Sequence, residues 1–190
     1  MNKTFYQFLF FSLAFFFTFT PITIEAQSSD NKQPVKYKKA RALQSSTAKK
    51  MAKVYEALEE VDEKGEPAPN METVLSILND LRDNRDDLKS YDRSVMWNAW
   101  AYVYFSEGQY SQALDSYRKL MNEPESTIPL RTGALLSMGQ LSMVQENYDQ
   151  GIKYILQWMD EVEKVTAQAW SFLGQAYYAK EDYRLSLIHI

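Results

Sequence analysis

Four groups of side chains are of types that could do chemistry. Glu59, Glu60, Asp62 and Glu63 stand almost consecutively, and Asp83, Asp86 and Asp87 form a second acidic group. Clustered carboxylates can hold a divalent cation or divide acid and base roles between them. Neither group has the pattern for it. The first lies on the outer side of an amphipathic segment without a histidine, where a solvated face is expected. The second lacks the glycine and the ligand spacing of a calcium loop. Trp97, Trp100, Trp158 and Trp170 could stack on a flat ligand, yet they fall at helical spacings that face a core. The fourth candidate is His189, the single histidine, in a chain with no cysteine. That leaves no material for a histidine-based triad, a His-pair metal site, a thiol nucleophile or a zinc thiolate site. No catalytic, cofactor-binding or metal-ligating residue is therefore assigned. The chain is expected not to be an enzyme and to need no cofactor.

The elements around these residues begin with a leader. In the 190-residue chain, Met1-Asn2-Lys3 gives a positive start and Phe5 to Phe19 holds eight of the ten phenylalanines before Pro21 breaks the run. Ile24-Glu25-Ala26 then offers a small residue where cleavage would fall. This is the layout of a secretory signal peptide over residues 1–26, cut near Ala26. Fifteen residues at ~1.5 Å rise reach about 22 Å, short of a ~30 Å hydrocarbon core. A retained anchor is the alternative. Export would place the remainder outside the cytoplasm.

Residues 27–45 read as a flexible basic tether, with Ser28, Ser29, Asn31 and Pro34 and no sustained period. From Lys32 to Lys53 there are eight basic residues and no acid, whereas Glu56 to Asp92 holds twelve acids against four bases. Such an arm could touch an anionic membrane face or an acidic partner, and membrane contact is expected only through it or through the leader. The formal net charge of −4 with mixed signs argues against a nucleic-acid partner.

Beyond Ser46 the sequence reads as helices. Met51, Val54, Tyr55 and Leu58 follow the i, i+3, i+4, i+7 rule, and Val74, Leu75, Leu78 and Leu81 form a second stripe behind a capping Asn70. Gly65 to Pro69 separates the two, so residues 46–89 are expected to form a divergent first helix pair. No alternating run is bounded by hairpin turns. The expected class is all-α.

Self-similarity then organises residues 90–190. Trp170, Leu173, Gly174 and Tyr177 are echoed by Trp97, Trp100, Ala101 and Tyr104, and more weakly by Leu135, Met138, Gly139 and Ser142. The small residue recurs at 101, 139 and 174, and a tyrosine recurs with the same steps of 38 and 35 at Tyr110, Tyr148 and Tyr183. Behind two of them come Ala113/Tyr117 and Gly151/Ile155. A small residue at that slot lets the second helix approach the first, and Gly108 suits the turn between them. Thr127 or Ser126 can cap the following helix, with Pro129 in its first turn. This arrangement resembles the tetratricopeptide repeat, in which Trp170, Leu173, Gly174 and Tyr177 match the W-x2-L-G-x2-Y signature in full. The resemblance implies a helix-turn-helix solenoid with repeats over about 90–126, 127–164 and an incomplete 165–190. The apolar tail Leu185 to Ile190 is expected to be a truncated or foreign end, since arrays close with a polar cap.

The resemblance also implies that the first helix of each repeat lines a groove. Its slots fall on Val95, Asn98, Tyr102 and Phe105, then Gly133, Leu136, Gln140 and Met143, then Gln168, Ser171, Gln175 and Tyr178. The row is uncharged, rich in amides and aromatic. The lysine of the family's carboxylate clamp is missing, with Asn98 and Tyr102 at its slots, so an apolar or amide-rich peptide segment is the expected ligand. Leader, basic tether, the Thr47 to Ala57 run and Tyr154-Ile155-Leu156-Gln157-Trp158 are further similar to exported tetratricopeptide proteins encoded beside TonB/ExbB/ExbD-type systems of Gram-negative bacteria. That similarity implies a periplasmic interaction module or scaffold that binds an envelope protein and assists energised uptake. The alternative is a structural scaffold in outer-membrane or pilus assembly.

Overall fold

The structure, a computed structural model, describes residues 41–180. The expected leader, most of the tether, Tyr183 and the apolar tail lie outside the described residues. Seven α-helices occupy the described part: α1 (Ser45–Leu58), α2 (Met71–Asp83), α3 (Ser90–Ser106), α4 (Tyr110–Asn122), α5 (Ile128–Val144), α6 (Tyr148–Glu161) and α7 (Ala167–Ala179), with a 3-10 turn at Arg85–Asp87. The described residues fold as helices joined by loops, as their periodicity dictates. Among the described residues the extended backbone pairs once, in a single bridge between Val61 and Pro67.

The helices form where apolar spacing and capping agree. In α1 the buried stripe is Thr47, Met51, Val54 and Ala57, and in α2 it is Val74, Leu78 and Leu81. The Asn70 side chain accepts the Thr73 N–H at 3.1 Å, which satisfies one orphan donor of the first turn. Between α1 and α2 the Asp62 carboxylate accepts from the N–H groups of Lys64 and Glu66, and Gly65 takes φ +81°. The sharp loop is thus held by its own acid. The expected cap at Thr127 differs: Thr127 is the N-cap residue of α5, but its side chain accepts no capping bond.

Two turns are built alike. After α3 the Gln109 N–H reaches Tyr104 O at 2.8 Å and the Gly108 N–H reaches Phe105 O at 3.0 Å. After α5 the Asn147 N–H reaches Ser142 O at 2.8 Å and the Glu146 N–H reaches Met143 O at 3.0 Å. This is the Schellman arrangement, which needs a left-handed residue at its apex. Gly108 supplies it at φ +72° and Glu146 at φ +59°. Tyr110 and Tyr148 each open the helix that follows.

The small residues do what their slots require. Ala101, Gly139 and Gly174 are all buried. A Cβ on Gly139 would stand 2.9 Å from Ile155 Cγ1, so α6 lies too close to α5 for a side chain there. α1 packs on α2, α3 on α4 and α5 on α6, each helix also meets the next in sequence, and α3 touches α5. One core cluster runs from Met51 in α1 to Leu141 in α5. A second, around Ile152, Ile155 and Leu173, joins α6 to α7.

Tryptophan placement departs from expectation in one case. Trp97 and Trp100 are buried, Trp158 is half-buried, and Trp170 is 38% exposed. The tether also ends earlier than residue 45. Arg41 donates to the Glu125 carbonyl at 2.9 Å and the Gln44 N–H donates to Asp92 Oδ1 at 3.0 Å, so residues 41–44 belong to the folded unit.

Candidate functional site

Polar links at the helix ends fix the directions of α3 and α5. The start of α3 meets the residue just past α4 through Arg93 and Glu123, and the end of α5 meets the start of α4 through a Gln145–Ser111 bond of 3.2 Å. α4 therefore runs against both, and α3 and α5 lie parallel with one face in common. Asn98, Tyr102 and Phe105 on α3 stand at the same repeat positions as Leu136, Gln140 and Met143 on α5. All six are half-buried. Ser171, Gln175 and Tyr178 on α7 are exposed, and Gln175 Nε2 donates to Ser171 Oγ at 3.3 Å.

The residues of this row divide by what holds them. Phe105 rests against the first core cluster, with its ring 5.9 Å from that of Tyr110. Met143 packs into the second cluster, and its sulfur occupies the space where a Cβ on Gly151 would be, 2.8 Å away. These two side chains fill gaps between helices. Val95, placed in the groove by slot counting, is buried instead, because α3 is covered by α2, α4 and α5 together. Of the remaining residues, Tyr102 and Leu136 belong to neither apolar cluster, and Asn98 and Gln140 are polar and half-buried. Beside them Gly133 is exposed, and a Cβ added there would touch nothing within 4 Å. The face is open at that point. Ile128, at the start of α5, is 65% exposed, a residue the repeat pattern gives no reason to single out.

Behind this face the core is pinned by the tryptophans. Trp100 Nε1 donates to the Leu78 carbonyl at 3.3 Å, its ring stacks on Tyr104 at 5.1 Å, and the Arg82 guanidinium lies 4.7 Å from its centre. Trp97 carries the Lys119 ammonium 4.7 Å above its ring. Both rings are dry on one side and cationic on the other, a packing role with a favourable quadrupole contact.

A separate cleft of about 610 Å³ opens at the other end of the helices, lined by Arg41, Ala42, Lys89, Ser90, Tyr91, Pro124 and Glu125. Sequence spacing carries no signal for it, since its walls come from three distant segments. Asp92 is buried beside it in sequence, with one oxygen taken by Gln44 and the other without a hydrogen-bond partner among the described residues. Among the described residues no three or more acidic or histidine side chains are placed to hold a metal ion. No described helix is long and apolar enough to cross a membrane.

The fold and this face define an array of antiparallel helix pairs. Comparison of the chain with protein-family models gives no match, and comparison with curated protein sequences gives none.

Proposed function

We propose that the chain is a tetratricopeptide-type array, exported to the periplasm, whose α3–α5–α7 face binds an extended uncharged segment of an envelope protein. Its setting would be that of an accessory to a TonB-type energy-transduction system. The observation that carries the binding reading is the set Asn98, Tyr102 and Gln140 on two parallel helices. These side chains are polar or amphipathic and half-buried. Amides one helical turn apart on neighbouring helices can bond a peptide backbone with little regard for its side chains. A tyrosine between them adds contact area at small entropic cost. The repeat steps of 38 and 35 and the matched turns at Gly108 and Glu146 support the array.

The test places a photo-crosslinking residue at Tyr102, at Gln140 and, as a control, at Arg118 on the exposed side of α4, in the full chain expressed in a Gram-negative host. Crosslinks to an envelope protein from the first two positions and none from Arg118 are expected, in the periplasmic fraction. Equal capture from all three positions would refute the groove. Cytosolic protein with an intact Met1 would refute export.

A further inference from the structure

The charges of α1 stand in an order that helix stability does not reward. A helix favours acids near its N-terminus and bases near its C-terminus, and α2 follows that rule with Glu72 in its first turn and Arg82 in its last. In α1 the order is reversed: Lys49, Lys50 and Lys53 come first, Glu56 stands in the last turn, and Glu59 is the C-cap residue. Lys50 has a structural partner, an ion pair with Asp80 of α2. Among the described residues Lys49 and Lys53 meet no carboxylate, and one helical turn apart they repel each other. Ser45, Ala48 and Ala52 are exposed on the same face, so no bulky side chain stands beside the two ammonium groups. A charged face that costs the helix stability and has no partner within the fold points to a partner outside it. The lysines that precede it in sequence, Lys32, Lys36, Lys38 and Lys39, have the same sign, and no acid interrupts the run up to Lys53.

We propose that the exposed face of α1 at Lys49 and Lys53 is a docking surface for an anionic lipid bilayer. The chain carries −4 overall, so an anionic surface repels most of it and attraction is confined to a segregated basic region. A low cationic face without an aromatic anchor suits a plane of charged headgroups better than a protein partner with protruding side chains. The Phe5 to Phe19 stretch, as leader or as anchor, also brings this end of the chain to a membrane first. Each lysine at such a surface strengthens binding by about fivefold, and salt weakens it. Docking by α1 turns the acidic residues Glu59, Glu60, Asp62 and Glu63 away from the lipid. Nothing in the peptide-binding reading above requires this surface.

Co-sedimentation of the full chain with vesicles tests it. One set is phosphatidylcholine alone, the other phosphatidylcholine and phosphatidylglycerol at two to one. The quantity read is the ratio of the two partition coefficients, in which the apolar leader, common to all variants, cancels. The parent should favour the anionic vesicles at least about thirtyfold at low salt and lose most of that preference at high salt. Lys49→Gln/Lys53→Gln should lower the preference by about tenfold and melt no lower than the parent, since it removes a repelling pair. Lys153→Gln/Lys164→Gln removes the same charge from exposed positions elsewhere and should leave the preference within about twofold. An equal loss in this control would reduce the effect to net charge and overturn the proposal. Equal partition of the parent into both vesicles, or a lowered melting point in the α1 variant, would overturn it too. Self-association of the parent that the α1 variant abolishes, with no preference between vesicles, would give the face to an acidic segment of a second copy instead.

Discussion

Arg93 and Glu123 meet through two parallel hydrogen bonds across thirty residues, and Arg131 and Glu161 meet across the same interval. The pairing locates the open end of each helix pair, as Gly108 and Glu146 locate the turned end. Both pairs are closed alike at both ends, and Asn98 stands at the same repeat position as Leu136 and Tyr102 at that of Gln140.

The two turns give an opposed pair of substitutions. Glu146 holds a left-handed conformation that costs an L-residue about 1–2 kcal/mol, so Glu146→Gly should stabilise the chain by about 0.5–1 kcal/mol. Gly108→Ala should destabilise it by about 1 kcal/mol, although an added Cβ would meet nothing within 4 Å. Urea denaturation of both variants checks the signs. A stabilised Gly108→Ala would show that the left-handed apex carries no cost there.

Close approach of α5 and α6 predicts an asymmetry between two glycines. On Gly139 a methyl would press on Ile155 Cγ1, near the stiff branched end of that side chain, and Gly139→Ala should cost about 1–3 kcal/mol. On Gly151 the Met143 sulfur can swing aside and the Gly139 carbonyl oxygen, at 3.2 Å, need give only a few tenths of an ångström, so Gly151→Ala should cost less. The ratio of the two losses, read from melting curves, tests whether the helices are held rigidly at Gly139.

Core and face residues on α3 should separate by assay. Trp97→Ala and Trp100→Ala each empty a large buried volume and should cost about 3–5 kcal/mol of stability. Tyr102→Ala should cost little stability and weaken peptide binding by about 1–2 kcal/mol, roughly five- to thirty-fold. Thermal melting beside titration with a captured envelope segment decides it. If Tyr102→Ala melts as low as Trp97→Ala, Tyr102 is core.

Alkaline pH should weaken the fold. Burial pushes the Tyr117 phenol above its ordinary value, with the hydrogen bond to Ser137 opposing in part, and burial does the same to Tyr55, helped by Tyr91. The folded state therefore holds these protons more tightly than the unfolded chain, in which tyrosine ionises near pH ~10. The resulting stability is complete below that pH and is lost as the pH rises towards the folded values. Tyr117→Phe should be less stable than the parent at neutral pH by about 1 kcal/mol and lose less between pH ~9.5 and ~11. Parallel slopes for the two proteins would show that Tyr117 does not contribute.

What the sequence determined by itself was local or periodic. Helix class, the capping Asn70, the left-handed Gly108, and the small residues at 101, 139 and 174 follow from spacing and side-chain size, which act within a turn or two of helix. The equality of steps between Tyr110 and Tyr148 was enough to align two repeats. Tertiary structure decided what depends on which helices surround a position. Val95 and Tyr102 occupy the same helix at groove-type slots, yet α3 has neighbours on several sides, so Val95 is buried and Tyr102 only half so. Phe105 and Met143 look like ligand contacts by slot and serve as packing, because the gaps they fill exist only once α4 and α6 are in place. The docking of Arg41 and Gln44 on Glu125 and Asp92 joins residues more than forty positions apart. No periodicity reports a contact over that distance; it is set by the stacking of whole helix pairs.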